Sequence, residues 1–183
     1  MRKVTFGGAS RADTFFAGPG EAMDWLLWSD DAAKVSAESW TGVDTILMGR
    51  KTYEFAARSR PSSDAGQGDG DAGSEGKFKT YIFSRTMREA PEGAELVRGD
   101  AAEFVRALKS QDGGDIIVMG GGELGSALIA GGVVDEIGLN IHPLLLGAGT
   151  PVFTQLGRRV ALELIEARAL KEGCVLVRYR IVS

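Results

Sequence analysis

The stretch DIIVMGGGELGSALIAGG, Asp115 to Gly132, decides the fold. Ile116 to Met119 is an apolar run of strand length. Three glycines follow, Gly120, Gly121 and Gly122, and then a helical pattern that stops at Gly131-Gly132. A buried strand running through a tight turn into a helix is the unit of a parallel sheet. Gly120, Gly122 and Gly125 also fit G-x-G-x-x-G. In the dinucleotide fingerprint that motif opens the first βαβ unit, with an acid about twenty residues on. Here it lies near position 120 of 183 residues and is followed mostly by strand. Too little chain remains for half of that fold, so the fold is rejected and the local phosphate argument is kept.

Upstream the same unit recurs. DTILMGRKTYEFAA, Asp44 to Ala57, reads as a strand over Thr45 to Met48, a glycine, and a helix over Lys51 to Arg58. KTYIFSR gives a strand over Thr80 to Phe83, AELV a short strand, and DAAEFVRALKS a helix with an acidic N-cap. The chain opens with a strand at Val4 to Phe6, and Met23 to Val35 carries apolar spacing suited to one or two helical pieces. Downstream, VDEIGLNIHPLLLG is a strand, and the end is two strands around Lys171-Glu172-Gly173, a hairpin signal. Alternating strands and helices predict a single α/β domain over 1–183, three layers deep, with a mainly parallel central sheet and an antiparallel C-terminal β-hairpin. Residues 59–77, rich in Gly, Ser and Asp, read as a flexible insertion or a lid.

The net charge of −4 disfavours general binding to nucleic acid or anionic membrane. One cysteine, Cys174, excludes an internal disulfide and a cysteine-rich zinc site, and no metal is expected. One histidine, His142, is held extended by Pro143, and no G-x-S-x-G elbow accompanies it. MRKVTFGGAS lacks the apolar core of a signal peptide, so a cytoplasmic protein is expected.

Three strand exits carry features that suit anions. Gly49-Arg50-Lys51-Thr52 places a glycine, two cations and a hydroxyl at a helix start, where unpaired N–H groups point outward. Gly120-Gly121-Gly122, with Glu123 and Leu124, opens a second helix and lets a diphosphate approach the backbone. Ser84-Arg85 ends a third strand. Glycine turns suit a diphosphate and arginines suit an added 2′-phosphate, which together describe NADPH.

These residues resemble a family. ILMGRKTYE is similar to the MGRxTxE segment of dihydrofolate reductases, and IIVMGGGELGSALI to their second glycine signature. ADTFFAGPGEAMDWL and IHPLLLGAGTPVF resemble LDGxIAGPxGxMDWL and HPxLLGxGxPLF, segments of the reductase half of the bacterial riboflavin-biosynthesis deaminase/reductase. The resemblance implies a dihydrofolate reductase-like fold and NADPH-dependent reduction of a phosphoribosylamino-pyrimidine to its ribityl form. It implies that Gly49, Arg50, Lys51, Thr52, Ser84 and Arg85 hold the adenosine phosphate end, and that Gly120, Gly121, Gly122, Glu123 and Leu124 hold the diphosphate. Asp13 matches the aspartate of LDG, and Asp30 follows Trp25 at the spacing of a dihydrofolate reductase substrate carboxylate. Both are candidates for substrate binding or protonation, and Arg11 and Lys34 for a sugar phosphate. A homodimer is implied as well. The alternatives are a dihydrofolate reductase and a non-catalytic nucleotide-binding protein on the same fold.

Overall fold

The computed structural model describes residues 1–18, 20, 23–59 and 78–182. The insertion at 59–77 therefore lies almost wholly outside the described residues. Among the described residues ten strands and four α-helices follow in the order β1 Val4–Arg11, β2 Phe15–Ala17, α1 Asp30–Ser39, β3 Val43–Gly49, α2 Arg50–Ser59, β4 Lys79–Phe83, β5 Ala94–Val97, α3 Ala101–Lys109, β6 Asp115–Met119, α4 Gly122–Ala130, β7 Glu136–His142, β8 Thr150–Pro151, β9 Ala161–Ala169 and β10 Val175–Val182.

Eight of the strands form one sheet in the order β5-β4-β3-β6-β1-β7-β10-β9. The first six are parallel, and β10 and β9 close the edge as the antiparallel hairpin expected. Side chains alternate across the strands, and that alternation sorts the core. Val4 and Phe6 of β1, Leu47 of β3, Val118 of β6 and Ile137 of β7 pack against Val105 and Leu108 of α3 and Leu128 and Ile129 of α4. Ile46, Met48 and Ile82 face the other way, in a smaller cluster with Trp40 and Tyr53.

Three departures from the sequence reading have local causes. First, β1 runs to Arg11 rather than ending at Phe6. Gly7 and Gly8 continue it because Gly7 stands opposite Gly138, and a Cβ there would overlap the Gly138 carbonyl. Second, α1 begins at Asp30, so the apolar residues from Met23 to Trp28 are not helical. Ser29 sets the start: its side chain accepts a bond from the Ala32 amide. Trp25 folds inward instead, 8% exposed. Third, β2 and β8 pair in a small second sheet that no periodicity announced, being three and two residues long.

Candidate functional site

The fold brings the strand exits together. Gly49, Ser84 and Gly120 leave adjacent strands β3, β4 and β6 on the carboxyl edge of the sheet. A cleft of roughly 2180 Å³ runs along this edge and over the face toward α1 and α2. That volume exceeds an ordinary small-ligand pocket, about 300–1,000 Å³, and is large enough for a dinucleotide with a second molecule. All eleven residues named for the cofactor line it: Gly49, Arg50, Lys51, Thr52, Ser84, Arg85, Gly120, Gly121, Gly122, Glu123 and Leu124.

Their local chemistry differs. Gly120 has φ 84°, and a Cβ on it would meet Thr52 Cβ at 2.7 Å. This contact locks the first helix turn of α2 against the glycine turn. Gly122 lets α4 approach the Pro151 carbonyl, which a Cβ would meet at 2.6 Å. Of the three glycines in this turn Gly121 has room, with Thr150 Cγ2 at 3.7 Å. It is the N-cap of α4 and provides no side-chain cap, so the amides of the first turn have no side-chain cap partner at Gly121. Arg50 is engaged by Glu54, at 2.7 and 2.9 Å. Ser84 Oγ accepts from the amides of Thr86 and Met87 at 3.2 and 2.9 Å, which shapes the turn that presents exposed Arg85. The residues present therefore fit a phosphate-bearing cofactor: uncapped amides, an open glycine, a hydroxyl, and Lys51 and Arg85 as cations.

Sequence reasoning missed a fourth exit. Arg98 and Gly99, between β5 and the Asp100 N-cap of α3, also line the cleft. The order strand, cation, glycine, cap in VRGD was the available signal.

Neither candidate carboxylate lines the cleft. Asp13 accepts from the amides of Leu146 and Gly147 at 2.7 and 2.8 Å. The Gly147 amide, with that of Leu146 and the nearby Arg11, holds its carboxyl below the usual range. It ties the first turn to the LLLGAG loop. The neighbouring Thr14 takes φ 62°, at the position of the glycine in LDG. Asp30 sits at the start of α1, 89% exposed and 3.9 Å from Lys171. Arg11 is wholly buried, 5.0 Å from the Trp25 ring centre, and Lys34 borders a separate small recess.

His142 is wholly buried too. Its Nδ1 accepts from the Leu27 amide at 3.3 Å, and Cys174 Sγ lies 3.5 Å away. Burial pushes its pKa down from 6.5. The unfolded chain therefore takes up a proton on acidification before the folded one does. Stability is full above about pH 6.5 and falls as pH drops toward the lowered native value, by at most about 1.4 kcal/mol per pH unit. Urea titrations at about pH 7.5 and about pH 5.5 test this against His142→Gln. The variant loses this part of the acid-side decline, and identical declines in both proteins would refute the assignment.

Comparison with known proteins agrees with the geometry. Residues 2–176 match the family described as RibD C-terminal domain. The uncharacterized Bacillus subtilis protein YyaP is 31% identical over 98% of this chain and 95% of its own. A Shewanella sp. PV-4 protein with a provisional riboflavin-biosynthesis name superposes with a TM-score of 0.80 at 20% identity, over 100% of both chains. Dihydrofolate reductase from Enterococcus faecalis, in complex with NADP(H), gives a TM-score of 0.68 at 15% identity, over 99% of this chain and 97% of that one. The chain belongs to the RibD C-terminal domain family and has the dihydrofolate reductase-like fold.

Proposed function

We propose that the protein is an NADPH-dependent reductase of the riboflavin-pathway type, acting on a small heterocyclic or sugar-linked substrate. The observation that carries this is the convergence of the Gly49, Ser84 and Gly120 exits on one cleft large enough for cofactor and substrate. Family membership supports an oxidoreductase. The bound cofactor would supply a hydride from its nicotinamide.

The chain's part is to bind, orient and shield. The first-turn amides of α4 would hold the diphosphate, joined by Thr52, which packs against Gly120 of that turn rather than standing apart at the adenosine end, and Lys51 and Arg85 would hold the 2′-phosphate. Reduction of a ribosylamine at its sugar carbon requires one proton besides the hydride. Asp13 is engaged by loop amides and Asp30 faces Lys171, and both lie outside the cleft lining, so neither is placed to deliver that proton.

Turnover tests the reading. The protein should oxidise NADPH in the presence of the phosphoribosylamino-pyrimidine and not with dihydrofolate. Oxidation with dihydrofolate alone would favour the dihydrofolate reductase reading. Nucleotide binding without turnover of either compound would favour the non-catalytic one.

The two cations give a second test. Lys51→Ala and Arg85→Ala should each weaken NADPH binding about tenfold, one exposed charge-assisted contact, and leave NADH binding unchanged. Equal losses for both nucleotides would remove these residues from the 2′-phosphate site.

Pairing as a homodimer is part of the same proposal. Leu162 and Leu164 of β9 are 44% and 56% exposed, on the face they share with Ile181 and Tyr179 of β10. Light scattering should give twice the monomer mass, and Leu164→Asp should return the monomer.

A further inference from the structure

Asn140 lies in the middle of β7, on the face that the cleft exposes. Its partner on β1 is Ala9 and its partner on β10 is Leu176. Two residues along the strand stand Gly138 and His142, and the His142 ring is turned to the Leu27 amide and Cys174. Asn140 Oδ1 is buried and has no hydrogen-bond partner among the described residues. A buried amide oxygen left unpaired bears its full desolvation penalty with nothing to offset it. Between an alanine and a leucine, an apolar side chain would satisfy the sheet without that cost. The amide is therefore explained by something that enters the cleft.

Its place tells which molecule. In the sheet order β6-β1-β7, Asn140 stands two strands from the glycine turn after β6, about 10 Å at ordinary strand spacing. Trp28, Met23, Leu26 and Val35 line the same cleft and offer flat apolar surface.

We propose that Asn140 is a specificity-determining residue that reads the lactam edge of the substrate heterocycle. A side-chain amide presents one acceptor beside one donor, and a cyclic N–H beside its C=O is the matching pair. The proposal rests on the reductase reading for the identity of this second molecule. A carboxamide has the same edge, so the nicotinamide end of the cofactor is the other source of this chemistry.

Calorimetric titration of the full chain with 5,6-diaminouracil, 2,4-diaminopyrimidine and NADP⁺ separates the cases. The pyrimidines are titrated with and without the nucleotide. Wild type should prefer the uracil. Asn140→Asp keeps the shape but presents only acceptors, so it should lose at least about tenfold for the uracil and gain for the diaminopyrimidine, which offers donors. Asn140→Leu should lose the uracil, and both variants should bind NADP⁺ within about twofold of wild type. A reversal of preference cannot come from misfolding. Unchanged preference in the aspartate variant, or no uracil binding by wild type, overturns the proposal. A parallel loss of NADP⁺ affinity assigns the amide to the cofactor and also overturns it. Failure of the reductase reading shows separately, as wild type that binds no NADP⁺ while the preference still reverses without nucleotide.

Discussion

Gly121→Val should raise the Kd for NADPH at least about 100-fold while the protein still folds. The backbone of Gly121, φ −47° and ψ 152°, is open to any L-residue, and an added Cβ would touch only Thr150 Cγ2 at 3.7 Å. Packing therefore sets no demand for glycine here. The branches of valine would stand over the uncapped first turn of α4, where the diphosphate must approach the amides. Two charge-assisted bonds at about 1.5–3 kcal/mol each set the expected loss. Valine is also a poorer N-cap than glycine, which costs about 1 kcal/mol, or roughly 2–4 °C in Tm for a chain of this size. Tryptophan fluorescence titration and a thermal melt read the two effects separately. Near-native affinity would mean that this turn binds no phosphate.

Gly125→Ala should lower stability, against the usual sign of that exchange. Within a helix, glycine to alanine ordinarily gains about 1 kcal/mol. Here the new Cβ would lie within 2.7 Å of Phe6 Cδ2, with other Phe6 ring atoms nearer still. Phe6 is wholly buried and also packs edge-on against Phe16 and Phe153, so its ring has nowhere to go. Overpacking at about 3 kcal/mol outweighs the propensity gain and leaves a net loss of about 2 kcal/mol, roughly 4–8 °C in Tm. A rise in Tm would show that α4 is less closely seated on β1.

The two glycines show what a sequence can disclose. The strand-glycine-helix units were legible because apolar runs and glycine stops are local signals. They placed β3, β4, β6 and their exits correctly, and the hairpin of β9 and β10 was visible from Lys171-Glu172-Gly173. The separate duties of Gly120, Gly121, Gly122 and Gly125 were not legible. Each depends on a neighbour far along the chain: Thr52, Thr150, Pro151 or Phe6. The same limit hid the work of Asp13. Its carboxylate bonds to amides at positions 146 and 147, a relation no spacing near residue 13 reveals. Met23 to Trp28 misled for a different reason. Its apolar spacing is compatible with a helix, but Trp25 packs edge-on at 5.1 Å against His142 and the helix starts only at the Ser29 cap.

The central claim is that the cleft at the ends of β3, β4 and β6 binds NADPH through its phosphates. The most direct measurement is the affinity of the wild-type protein for NADPH and NADH, followed by the fluorescence of Trp28 and Trp40, which both line the cleft. Micromolar NADPH binding at least about tenfold tighter than NADH is expected, with the difference shrinking as salt screens Lys51 and Arg85. Binding of neither nucleotide would contradict it, and the three exits would then be no more than turns.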